Sequence, residues 1–144
     1  MTKPEFVHLH VHSPYSFLDG ASRIDALLEE AALLGMPAIA LTDHNNVSGA
    51  VRFQIKALEK GIQPIQGAEV TFAGGHHLTL LATGPRGYAQ LNRIITAAHL
   101  GREPHPEPGA MLSPAPGHSR LQPAAPLSAL SHDTDGLIAL SGCR

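Results

Sequence analysis

A chain of 144 residues, 43% apolar and 15% charged, is the size of one domain and can build a core, which excludes disorder along its whole length. A formal net charge of −2 supplies no bulk basic field for nucleic acid or an anionic membrane, so any nucleic-acid contact has to come from a local site. The longest nearly apolar stretch, 31–41, is broken by Gly35 and Pro37 and falls short of a bilayer span, and a single cysteine with no signal-like start suits a reducing cytoplasm.

Ten histidines stand against four phenylalanines, two tyrosines and no tryptophan, so where the imidazoles fall decides the reading. Residues 6–12, F-V-H-L-H-V-H, alternate strictly and predict a strand with Val7, Leu9 and Val11 on one face and His8, His10 and His12 on the other. After a turn-like segment at 13–20, Ser22 and Asp25 resemble a capping box, and Ile24, Leu27, Leu28, Ala31 and Leu34 recur at helical spacing until Gly35. Residues 37–41 form a short apolar strand ending in Thr42-Asp43-His44; a second helix follows, striped by Val47, Ala50, Val51, Ile55 and Leu58 and stopped by Gly61. A third strand is predicted at 62–72, a Gly74-Gly75 turn leads into a fourth at 77–83, and Leu91, Ile94, Ile95 and Ala98 stripe a helix over 87–100. Seven of the twelve prolines fall within 102–126, which reads as a flexible, Pro-rich insertion; a short helical stretch near Leu127 and a fifth strand at 137–141 follow. Strands alternating with helices imply an α/β architecture, a parallel sheet or barrel.

In such folds ligands gather at the carboxyl ends of strands. His10 and His12 close the first strand, Asp43 and His44 the second and Glu69 the third, while Cys143 follows the fifth. A mixture of imidazole, carboxylate and thiolate suits zinc, manganese or iron and is too rich in nitrogen for a calcium cage; ligands drawn from several strands suggest two or more ions, able to activate water and clamp phosphoryl oxygens. Plainer readings exist for each position. Asp19 suits a turn, Thr42-Asp43-His44 a loop that caps a helix, and Glu69 a solvent-facing place in its strand; His77 and Cys143 alone would be an ordinary strand-edge histidine and an ordinary buried cysteine. His99, His105, His118 and His132 read as solvated, and Arg52, Lys56 and Lys60 as a solvated helix stripe. The chain has neither a nucleotide P-loop nor a dinucleotide glycine motif.

The string F-V-H-L-H-V-H-S-P-Y-S-F-L-D-G-A resembles the first motif of the PHP (polymerase and histidinol phosphatase) domain, in the form carried by bacterial DNA polymerase III alpha-type chains. A-L-T-D-H-N-N-V-S-G-A-V, G-A-E-V-T, H-L-T-L-L-A and G-L-I-A-L-S-G-C are similar to its following motifs, in the same order, and the short link from Glu69 to His77 is more similar to the error-prone than to the replicative branch. The resemblance implies a distorted (βα)7 barrel, truncated here to about five strands, with residues 1–144 forming the front part of the domain and ending before a late D-x-H motif that supplies further ligands. It also implies a divalent metal cluster held by His10, His12, Asp19, His44, Glu69, His77 and Cys143, with Glu69 bridging, His12, His44 and Glu69 central to catalysis, and Asp43 orienting its neighbour. The implied activity of the intact domain is metal-dependent phosphoester hydrolysis or 3′–5′ exonuclease action on DNA, with the other polymerase domains as partners, and this chain alone is expected to be inactive. The alternatives are a free-standing phosphatase of the histidinol-phosphate type and a catalytically silent structural module.

Overall fold

Short apolar runs alternating with helical stripes fold as expected through most of the chain, and the computed structural model describes residues 6–101, 123–131 and 133–142. In order these form helix α1 (Ile24–Leu33), strand β1 (Ala38–Leu41), helix α2 (Ala50–Glu59), strands β2 (Gln63–Phe72) and β3 (His76–Ala82), helix α3 (Pro85–Leu100), a 3₁₀ turn (Leu127–Leu130) and strand β4 (Leu137–Ser141). The sheet runs β1-β2-β3-β4; β1 and β2 are parallel, whereas β3 is antiparallel to both β2 and β4. The sheet is therefore mixed, and a purely parallel arrangement is corrected. The cause is local, because Gly74 and Gly75 both hold positive φ, 92° and 80°, and so close a tight hairpin where a parallel connection would need a crossover helix.

Four strands form instead of five among the described residues. Residues 6–12 lie along the free edge of β1 with a single parallel bridge, His8 to Ile39. The Ala40 N–H donates to the His8 carbonyl and the Thr42 N–H to the Val11 carbonyl, each at 2.8 Å, so three residues on the edge segment span two on β1. Thr42 Oγ1 takes the Val11 N–H at 2.9 Å, which removes that donor from the ladder. This extra residue acts as a bulge and breaks the strict alternation. His8 consequently stays exposed with its ring edge-on to Phe6, apart from His10 and His12.

Two cores hold the layers together. Ile24, Leu28, Ile39, Leu41, Phe53 and Ile62 join α1, β1 and α2, while Val70, Phe72, Leu80, Leu91 and Ile94 seal α3 against one face of β2 and β3. The face α2 buries is the predicted one only in part: Ala50 is buried as expected, but Phe53 and Ala57 point inward with it, while Val51, Ile55 and Leu58 are exposed. Phe53 and Ala57 alone offer one large and one small contact on a helical i, i+4 ridge, and burying them turns the Val51 side outward. The capping box at Ser22 does not form either; Arg23 is the N-cap, and Asp25 pairs instead with Arg52 of α2. At the other end of the chain the segment predicted to be irregular is ordered over 123–126, where Ala125 is fully buried and bridges Phe72; residues 102–122 lie outside the described residues. Among the described residues no helix is long and apolar enough to cross a membrane.

Candidate metal centre

With α3 covering one face of the β2–β3 hairpin, residues 67, 69 and 71 of β2 and 77, 79 and 81 of β3 share the other, since Glu69 pairs with Thr79 and Thr71 with His77. His77 opens its strand, yet it lies at the carboxyl-end half of β2 because β3 runs antiparallel to it. Past Leu41 the chain continues alongside β2, with the Asn45 N–H donating to the Glu69 carbonyl at 2.8 Å, and this sets His44 beside Glu69. From the opposite side the bulged edge segment delivers His10 and His12.

These side chains meet on Glu69, whose carboxylate is fully buried. Its Oε2 lies 2.6 Å from His10 Nε2 and 3.2 Å from His12 Nε2, and its Oε1 lies 3.2 Å from His77 Nδ1. His10 Nε2 and His12 Nε2 are 2.9 Å apart. Asp19 Oδ2 lies 3.2 Å from His44 Nε2, and the His12 and His44 rings stack with centroids 4.5 Å apart. Donor atoms thus gather in three overlapping groups, His10–His12–Glu69, His12–Asp19–His44 and His44–Glu69–His77, each within a 4.8 Å span. Six of the seven predicted ligand positions are brought together, and burial excludes the solvent-facing alternative for Glu69. The seventh, Cys143, lies outside the described residues, as do His105, His118 and His132. His99 is not merely solvated, because its Nε2 lies 2.7 Å from the Asn45 carbonyl and ties α3 to the loop that carries His44.

Asp43 does not touch the cluster. Its buried carboxylate accepts from the Ser13 N–H and hydroxyl and from the Ser16 hydroxyl, each at 2.7 Å. Ser13 and Ser16 are both buried, and nothing in their residue type or spacing separates them from turn residues; only the approach of their loop to Asp43 in the folded chain reveals them. The Ser16 carbonyl accepts the Asp19 and Gly20 N–H groups at 3.1 and 2.9 Å, and the turn between forces Leu18, a fully exposed residue, to a φ of 68°. Such a conformation costs of order 1–3 kcal/mol in a non-glycine residue and is held by its surroundings. Here it aims Asp19 at His44.

The donor set fits a transition metal. Roughly tetrahedral bonds of about 2.1 Å place ligand atoms about 3.4 Å apart, somewhat beyond the 2.6–3.2 Å contacts among these side chains, and four imidazoles with two carboxylates suit a transition metal better than calcium. Thr79 Oγ1, buried on the same face and in register with Glu69, has no hydrogen-bond partner among the described residues. His12 is held below its ordinary pKa, first by burial and then by the neighbouring His44 and His10, with Asp19 and Glu69 opposing, so its imidazole is kept as a neutral donor.

That depression makes a prediction for the metal-free chain. Above pH 6.5 His12 is neutral folded and unfolded; as pH falls below 6.5 the unfolded chain takes the proton first, so stability declines until the folded pKa is passed. Urea midpoints in chelator should drop between about pH 7.5 and about pH 5.5, and less steeply in His12→Gln. Equal slopes would refute the assignment.

A family model of the PHP domain matches residues 8–144. The chain belongs to the PHP domain family. It is 81% identical over 139 residues to an error-prone DNA polymerase of Symbiobacterium thermophilum, covering 96% of this chain and 13% of that protein. It is 36% identical over 148 residues to the DNA polymerase III subunit alpha of Vibrio cholerae, covering 99% of this chain and 12% of that subunit. The PHP chain therefore spans only about an eighth of the curated relatives it matches. Among solved structures, an amidohydrolase from Chromobacterium violaceum, with sulfate bound and no metal, shares the fold with a TM-score of 0.54 and 28% identity over 66% of this chain and 34% of that one. The mixed α/β class expected for part of a PHP barrel stands, with one strand fewer than predicted.

Proposed function

We propose that this PHP chain forms the metal-binding part of a phosphoesterase site within a longer, error-prone DNA polymerase III alpha-type polypeptide, acting on the 3′ end of DNA in the cytoplasm. The observation that carries it is the convergence of His10, His12, His44, His77 and Asp19 around one buried carboxylate, Glu69. His10, His12, Asp19, His44, Glu69 and His77 would hold a cluster of zinc or manganese ions, with Cys143 joining them on the motif alone. Cations held there would supply positive charge that acidifies water and offsets charge developing on phosphoryl oxygens. Glu69, reaching both His10 and His77 through different oxygens, holds the two sides of the site together. His12 and His44 stack between Glu69 and Asp19 and present imidazole nitrogens to both groups. Asp19, about half exposed, faces the open side, where a phosphodiester can enter. Nucleotide transfer would belong to other domains of the longer polypeptide, and DNA would be the shared substrate. Identity of 81% to an error-prone DNA polymerase favours this setting over a free-standing phosphatase.

The test is hydrolysis of end-labelled single-stranded DNA, against a small phosphomonoester, by the longer polypeptide with manganese or zinc. Metal-dependent shortening from the 3′ end, abolished by chelator, is expected. Release of phosphate from the monoester alone would favour the phosphatase reading, and no hydrolysis with either metal would leave a silent structural module.

A further inference from the structure

We infer that Ser16 is a positioning residue that locks His12 in the tautomer carrying its proton on Nδ1, so that the bare Nε2 faces Glu69; this rests on the metal-centre reading for its purpose but not for its geometry. The argument is one of hydrogen-bond supply. A serine hydroxyl has one proton and two lone pairs. Ser16 Oγ meets three groups: Asp43 Oδ1 at 2.7 Å, the His44 N–H at 3.0 Å and His12 Nδ1 at 3.0 Å. Asp43 Oδ1 accepts from the hydroxyl, so the hydroxyl proton goes to Asp43. A backbone N–H only donates, so it takes one lone pair. His12 Nδ1 is left facing the second lone pair and must itself donate. Asp19 Oδ2, 3.7 Å from the same nitrogen, is beyond hydrogen-bond reach and cannot substitute.

The consequence reaches the cluster. With its proton on Nδ1, His12 turns an unprotonated Nε2 toward His10 Nε2 and Glu69 Oε2, 2.9 and 3.2 Å away, which is the state a cation needs. The same hydroxyl fixes His44 through its backbone, and the Ser16 carbonyl fixes Asp19, so one buried serine orients three residues of the group His12–Asp19–His44. Asp43 acts through it, since its carboxylate decides where the hydroxyl proton goes.

The experiment labels the histidine rings of the 144-residue chain with nitrogen-15 and reads the His12 tautomer, metal-free, at about pH 7.5. It also measures zinc affinity by competition in wild type, Ser16→Ala and Ser16→Thr. Wild-type His12 is expected to carry its proton on Nδ1, Ser16→Ala to give a mixture of tautomers and a 10–100-fold weaker zinc affinity, the range for losing an outer partner of a ligand, and Ser16→Thr to recover most of both. A merely structural role for Ser16 would lower the urea midpoint without moving the tautomer. A wild-type proton on Nε2 overturns the inference, and this needs no variant to fold; so does zinc affinity unchanged in Ser16→Ala. Absence of zinc binding by wild type, with the Nδ1 proton found, would sink the metal-centre reading and leave the lock standing.

Discussion

Replacing Glu69 with glutamine in the longer polypeptide is expected to lower the proposed metal-dependent phosphoester hydrolysis more than about 100-fold, beyond the range seen when only an outer partner of a ligand is lost, and to strip the site of metal. The change is nearly isosteric, so its effect is chemical. One carboxylate oxygen becomes an NH₂ group, and whichever way the amide turns, it presents donor hydrogens either to the Oε2 side, occupied by His10 and His12, or to the Oε1 side, occupied by His77. The site also loses its only fully buried negative charge among the three donor groups, leaving Asp19, which is half exposed and screened. Backbone pairing of Glu69 with Thr79 does not depend on the side chain, so the hairpin should persist. Metal content by elemental analysis, hydrolysis of a labelled DNA 3′ end and the circular dichroism spectrum together check this; a metal-loaded, active variant would remove Glu69 from the centre of the mechanism.

The cluster was legible in the sequence because its members are chemically unusual where they stand. An H-x-H edge, an acid inside an apolar strand and a histidine after a short apolar run have few reasons to exist in a plain core. What could not be read was how far side chains intrude on the backbone. The hydroxyl of Thr42 takes a donor from the edge ladder and bends residues 6–12 out of register, which no alternation pattern reports. The buried face of α2 was misread for a related reason, since Val51, Ile55 and Leu58 outweigh Phe53 in apolar count, while packing rewards the one large ring that fits between α1 and β1. Ser13 and Ser16 look like turn residues in any loop. Their role depends on Asp43 being buried beside them, a long-range fact.

Gly142 is the least conspicuous part of the site, and its replacement by alanine is expected to lower zinc affinity at least about 10-fold, as loss of an outer support does, and to destabilise the fold by roughly 1–3 kcal/mol, the usual cost of overpacking. Strand β4 pairs with β3 through Leu78 and Ser141, which brings the next residue onto the histidine and acid behind it. A Cβ on Gly142 would come within 2.7 Å of His77 Cβ and 2.8 Å of both the His77 carbonyl carbon and Glu69 Oε1. None of these can yield cheaply. The backbone at His77 is paired with Thr71 of β2, and the Glu69 carboxylate is held by His10 at 2.6 Å and His77 at 3.2 Å, so relief has to come from moving donors apart. Gly84 is the control: it is extended, with φ of 172°, and an added Cβ would meet nothing within 4 Å. Gly84→Ala, a change at the N-cap of α3, should cost only about 0.5–1 kcal/mol of stability and leave zinc affinity unmoved. Urea midpoints and competitive zinc titration of the two variants separate the cases. Equal behaviour of Gly142→Ala and Gly84→Ala would mean that β4 does not press on the cluster, and that the donors of β2 and β3 are held in place by the edge segment and the hairpin alone.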